Sequence, residues 1–246
     1  MRQNLKSVAW QSISVLFKER LPVPTLLRKS IYSLLGTVAL SDPVRNFAYQ
    51  WAWSYLKKLR AGSRVCDIGS RDSLFPAFLA WRGGEVTAVE KDPRCGKKQA
   101  VNSRRWKARF DLKAGDFLAY AFDIPFDAVL SLFSLQHAGE DDLPAYRKAA
   151  AMLKPGGLLL SVCEYDTGET KWQTGREDGT MRIYGPKDVK ERIEKPIIDC
   201  GVEIVEKRFA GWDGARKKLH WENRPEVGEF CFICGKKRSA ETVENK

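Results

Sequence analysis

The strongest chemical signal in the chain is a pair of acids, each closing a short apolar run. Asp67 follows Val65 and Cys66 and leads into Gly69; Glu90 follows Val86, Ala88 and Val89. Between them Leu74, Phe75, Phe78 and Leu79 share one helical face. Strand, glycine turn, helix, strand and acid form the grammar of a nucleotide-binding half. The glycine lets the backbone turn sharply and approach a ligand. An acid at the end of the second strand is positioned to accept hydrogen bonds from ribose hydroxyls. These residues point to an enzyme that uses an adenosine-bearing cofactor.

Two further sets of residues could do chemistry. Cys231 and Cys234 have a CxxC spacing, but zinc would want a second pair with matching spacing, and none is present. The segment also alternates like a final strand, so no metal is expected. Trp172, Tyr184, Trp212 and Trp221 are candidates to line an acceptor pocket, with ordinary packing as the alternative.

The elements that must hold these residues alternate. Residues 1–60 read as helices, the clearest starting with Asp42 as N-cap and Pro43 at the first helical position. Its apolar face is Val44, Phe47, Ala48, Trp51, Ala52, Tyr55, Leu56 and Leu59. From Ser63 onward strands are expected at 65–67, 86–90, 110–113, 127–132 and 158–164. Helices are expected at 74–81, 94–105 and 141–153. A polar, glycine-bearing stretch at 166–185 reads as loop, a helix follows over 186–200, and strands over 202–209 and 229–235 close the domain. Alternating strands and helices imply a parallel sheet covered on both faces. Ligands of such sheets bind beyond the carboxyl ends of the strands at the switch point. That gathers Asp67–Ser73, Glu90, Asp116 and Phe133–His137 around one crevice.

Over about residues 61–236 the chain resembles the class I S-adenosylmethionine-dependent methyltransferases. The resemblance rests on an ordered set: CDIGSRDS after the first strand, Glu90 after the second, AGDF (Ala114–Phe117) after the third, FDAVLSLFSLQHAGEDD (Phe126–Asp142) and LKPGGLLL (Leu153–Leu160). It implies a three-layer Rossmann-like α/β fold with a mostly parallel seven-stranded sheet, an antiparallel last strand and added N-terminal helices. It implies S-adenosylmethionine as cofactor, bound by Asp67, Gly69, Ser70, Arg71, Glu90, Asp116, Phe117 and Ser131. His137 follows the fourth strand, where several small-molecule methyltransferases carry a histidine; it is the candidate general base, with a structural role as the alternative. The chain departs from the family at two points. Arg71 and Ser73 stand where the second and third loop glycines are expected. Either Arg71 reaches a carboxylate or an anionic acceptor, or the loop is degenerate and cofactor binding is weak.

Composition bounds the rest. The chain has 246 residues and a net charge of +11, which favours an anionic partner or a merely basic surface. Six cysteines in a chain this long, two of them inside apparent buried strands, read as free thiols in a reducing cytoplasm. No secretory or membrane-spanning segment is expected. The domain expectation is an N-terminal helical cap over 1–60 and a cofactor-binding domain over 61–246. The cap carries Arg2, Lys6, Lys18, Arg20, Arg28 and Lys29 against Glu19, so peripheral contact with an anionic membrane is a second use for it. The leading function is methyl transfer to an O or N atom of a small-molecule, glycan or lipid-linked acceptor. The alternatives are an RNA methyltransferase or RNA-binding protein, and a non-catalytic methyltransferase-like partner.

Overall fold

The computed structural model describes residues 43–71, 73–176, 179–211 and 229–239. The helices expected over 1–40, the cap residue Asp42 and Trp212 and Trp221 lie outside them. Seven strands form one sheet: β1 (Arg64–Ile68), β2 (Glu85–Glu90), β3 (Asp111–Ala114), β4 (Phe126–Leu132), β5 (Leu153–Tyr165), β8 (Val202–Gly211) and β9 (Glu229–Lys237). Their order is β3-β2-β1-β4-β5-β9-β8. Only β9 runs antiparallel, between β5 and β8. Two further strands, β6 (Lys171–Arg176) and β7 (Gly179–Ile183), make a separate antiparallel ribbon.

The central strands are nearly continuous apolar runs because helices cover both faces. On one face lie α1 (Pro43–Leu56), α2 (Phe75–Trp81) and α3 (Pro93–Trp106). On the other lie α4 (Asp142–Ala151) and α5, which joins Pro186–Asp188, a π-helical Val189–Glu194 and Lys195–Asp199. Two apolar clusters mirror this division. One joins Trp51, Trp53, Phe75, Phe78, Leu130 and Phe232; the other joins Tyr146, Leu159, Tyr184, Ile193 and Ile197.

α1 is part of this layering. Trp51 meets Phe232 edge-on at 5.2 Å, Trp53 meets Phe78 at 4.9 Å and Tyr49 stacks on Phe75 at 4.8 Å. Glu206 of β8 accepts from Trp51 Nε1 at 3.2 Å and from the Tyr55 hydroxyl. Through its stacking on Phe75, Tyr49 sits where α2 begins, after the carboxyl end of β1.

The ribbon β6–β7 occupies the stretch expected to be loop. The signal for it was the alternation of buried Met181 and Ile183, masked by the glycines around it. The CxxC pair lies on β9. Three residues apart on a strand means opposite faces, and Cys231 and Cys234 do belong to opposite apolar clusters. They cannot share one ion.

Candidate cofactor site

The site assembles at the carboxyl ends of β1, β2 and β4, where the strand order reverses. Asp67, the fourth residue of β1, is 3% exposed, and Glu90, the last of β2, is 6% exposed. Burial first, and the nearby Glu90 second, push the Asp67 carboxyl up to about 7. Glu90 anchors the surrounding backbone: Oε2 accepts from the Arg71 amide at 2.6 Å and Oε1 from the Asp92 amide at 2.8 Å. Each oxygen keeps a lone pair for a further donor.

The described residues of the loop after β1 are held by other parts of the chain, although two glycines that the resemblance implies are absent. Gly69 sits at φ +70°, and a Cβ there would lie 2.0 Å from Ser134 Oγ, so the loops after β1 and β4 touch through it. Arg71 adopts the same left-handed region at φ +49°, a conformation that costs an ordinary residue of order 1–2 kcal/mol. What holds it there is a fully buried side chain on α3. Gln99 Nε2 donates to the carbonyls of Arg71 at 2.8 Å and Ser73 at 2.9 Å, and Ser70 Oγ lies 3.5 Å away. Ser73 Oγ accepts from the Phe75 amide at 2.9 Å and starts α2. The side chain of Arg71 acts electrostatically on Asp92, which places it near the acid that caps α3.

The third segment follows β3. Asp116 accepts from the Leu118 amide at 2.8 Å and caps the 3-10 turn Phe117–Ala119. Its side chain is half-exposed, with Lys91 at 3.8 Å, and Phe117 is buried. The fourth follows β4. Phe133 is left-handed at φ +62° and turns the chain into a second 3-10 turn, Leu135–His137. Ser131 Oγ accepts from the Leu135 amide at 3.1 Å beneath that turn. His137 ends it half-buried, its amide donating to Ser134 O at 2.9 Å.

Beside His137 lies an ionic cluster that the sequence did not announce. Asp142, wholly buried at the start of α4, faces Arg192 Nε at 2.9 Å, Arg182 Nε at 3.0 Å and the Tyr184 hydroxyl at 3.0 Å. Arg182 also meets Asp188 at 2.9 Å. These contacts tie β7 and α5 to the loop that carries His137. Tyr184, a candidate for the acceptor pocket, is therefore spent in this cluster. Its signal, acids and arginines at 140–142, 182 and 192, is spread too far along the chain to stand out.

Asp67, Gly69, Ser70, Arg71 and Glu90 sit at the ends of β1 and β2, Ser131 and His137 belong to the end of β4 and its turn, which Gly69 meets through Ser134, and Asp116 and Phe117 follow β3. Two buried acids stand side by side, and burial together with the charge of Glu90 raises the Asp67 carboxyl; such an acceptor set suits a cationic, hydroxyl-bearing group.

Residues 65–157 match the family described as a methyltransferase domain. The ubiquinone biosynthesis O-methyltransferase of Xanthomonas campestris pv. campestris (strain B100) is 33% identical over 101 residues, 40% of this chain and 42% of that one. The chain thus spans about two fifths of the length of the curated relatives it matches. The crystal structure of Burkholderia thailandensis 1,6-didemethyltoxoflavin-N1-methyltransferase superposes with a TM-score of 0.62 at 16% identity, covering 89% of this chain and 93% of that one. The cyclase SpnF reaches 0.63 at 16% identity, over 81% and 82%. The fold is the Rossmann-like methyltransferase fold.

Proposed function

We propose that this chain, built on a class I S-adenosylmethionine-dependent methyltransferase domain, transfers a methyl group to an O or N atom of a small-molecule acceptor. The observation that carries this reading is the Asp67–Glu90 pair at the carboxyl edge, joined to the Gly69 turn. Two buried acids are costly unless a cation or hydrogen-bond donors meet them. S-adenosylmethionine supplies a sulfonium whose methyl group is already a good electrophile. On this reading Glu90 accepts the ribose hydroxyls, Asp67 faces the cationic part, Asp116 with Phe117 holds the adenine, and Ser70 and Arg71 shape the loop. Arg71 offers a guanidinium to a carboxylate or other anion.

The protein's remaining task is to align the acceptor and exclude water. The acceptor enters from the β4–β5 side, between the loop of Phe133–His137 and the β6–β7 ribbon. His137 is the general base where the acceptor must lose a proton, and Ser131 supports its turn. Both O- and N-methyltransferases occur among the similar proteins, which supports a small-molecule acceptor and leaves both atom types within the proposal. Glycan and lipid-linked acceptors extend the same reading.

A different chemistry on the same fold is the second reading. The cyclase SpnF shares the architecture, and fold alone does not assign function. Calorimetry with S-adenosylhomocysteine separates the readings, followed by labelled S-adenosylmethionine against a metabolite panel. Binding together with label transfer supports methyl transfer. Absence of S-adenosylhomocysteine binding overturns it.

A further inference from the structure

A lysine outside the expected site holds the segment assigned to the adenine. Lys148, on α4, sends its ammonium under the sheet edge to the 3-10 turn after β3. Its Nζ donates to the carbonyls of Phe117 at 2.8 Å, Leu118 at 2.9 Å and Tyr120 at 2.5 Å. An ammonium has three donors, and all three are used. The same group lies 5.0 Å from the Phe117 ring centroid and 5.6 Å from that of Phe122. The opposite end of the turn is fixed by Asp116, which accepts from the Leu118 amide, while the Tyr120 hydroxyl donates to Ala114 O at 2.5 Å.

Surface lysines gain little from single contacts, and a long side chain gives up considerable freedom when fixed in one place. Three charge-assisted hydrogen bonds into one short turn are a different arrangement. The turn has no room for regular helix, so its last carbonyls need outside donors. Lys148 provides three, to Phe117, Leu118 and Tyr120.

We propose that Lys148 is a positioning residue for the cofactor: its ammonium sets the backbone of Phe117–Tyr120 and so aims Asp116 and Phe117 at the adenine. The inference rests on the methyltransferase reading above. It goes beyond that reading because neither the loop glycines nor the strand-end acids involve α4.

The charge on Lys148 is sensitive to its surroundings. Burial pulls its pKa down, and Asp116 and Cys66 oppose this. Tyr120 faces it from the turn. Beyond that ring lies Lys113, paired with Asp111, and Lys91 sits beside Asp116. Raising the pH into the lysine range removes one donor and the charge, and loosens the turn.

The test uses the full chain and 5′-methylthioadenosine, which keeps adenine and ribose but lacks the titrating amino acid end of the cofactor. Its affinity for the native chain should fall as pH rises from neutral into the lysine range. Lys148→Met should bind about tenfold more weakly at neutral pH and show no such fall. Lys148→Arg, whose charge does not titrate, should bind close to native and hold that affinity as pH rises; this variant carries the test if Lys148→Met does not fold. Native affinity and a native pH profile in Lys148→Met, or a native-like fall in Lys148→Arg, overturns the proposal. If the native chain binds neither 5′-methylthioadenosine nor S-adenosylhomocysteine, the cofactor reading itself fails and takes this inference with it.

Discussion

At the scale of single residues, Asp67 makes a claim about pH. Its carboxyl protonates at about 7 in the folded chain and near about 4 when unfolded. Between those values the folded state holds a proton that the unfolded state has lost. Stability contributed by this group is therefore greatest at low pH, falls as pH rises through that window and is level above it. The span is at most a few kcal/mol, at about 1.4 kcal/mol per pKa unit. A cationic cofactor favours the ionised form, so its binding should release a proton near neutrality and tighten as pH rises through 7. Denaturant titrations at stepped pH check the first point, and calorimetry in buffers of different ionisation heat checks the second. Asp67→Asn should flatten both curves; an unchanged slope in that variant would show that another group is responsible. Glu90→Ala should weaken S-adenosylhomocysteine by roughly 1–3 kcal/mol, because it removes hydrogen bonds to a charged group and leaves two loop amides unpaired. His137→Ala should lower turnover of a hydroxyl acceptor and leave the S-adenosylhomocysteine dissociation constant as it was. Equal turnover in that variant would make His137 structural.

At the scale of elements, the loop after β1 is held from three directions. Glu90 fixes the Arg71 amide, Gln99 fixes the Arg71 and Ser73 carbonyls, and Gly69 makes room for Ser134. Gly69→Ala should be among the costlier substitutions here. It places a side chain at φ +70° and drives its Cβ into Ser134. A fall in the unfolding midpoint together with weaker S-adenosylhomocysteine binding is the expected pair of results. Fixing the ribbon β6–β7 falls to Asp142. Asp142→Ala leaves Arg182 and Arg192 without the carboxylate between them, a change that typically costs 3–5 kcal/mol when a buried pair is broken. Hydrogen exchange should show β7 and the Leu135–His137 turn losing protection before β1 and β4 do. Uniform loss across the sheet would mean that the cluster stabilises the whole domain rather than the ribbon.

At the scale of the whole molecule, α1 is the described part of the expected N-terminal cap. Residues 1–40 are proposed to cover the acceptor; α1 itself is packed into the sheet layer. Deleting residues 1–40 should reduce acceptor turnover more than cofactor binding. Salt-sensitive binding to anionic vesicles that vanishes on deletion, with turnover in solution unchanged, would assign the segment to membranes instead. The +11 charge has a further address in α3 and its flanks, where Arg94, Lys97, Lys98, Arg104, Lys107 and Arg109 are exposed.

The sequence by itself determined the layer architecture and which residues close the central strands. Strand-end acids, a turn glycine and apolar runs are local patterns, and a parallel sheet leaves one place where such ends can meet. The positions of Asp67, Glu90, Asp116 and His137 at or just after strand ends were legible for that reason. Tertiary structure alone decided what holds them. Gln99 and Lys148 look like ordinary helix residues among other cations, and Asp142 looks like a first-turn acid. Their roles come from contacts 28, 31 and 50 residues away in the chain, Gln99 to Arg71, Lys148 to Phe117 and Arg192 to Asp142. No local period records such contacts, because periodicity reports which face is buried and is silent about which polar partner the fold will bring to it. The ribbon β6–β7 escaped for a related reason. Two strands pair through backbone groups that every residue carries, so a glycine-bearing stretch reads as loop until the fold supplies something for its few buried side chains to rest upon.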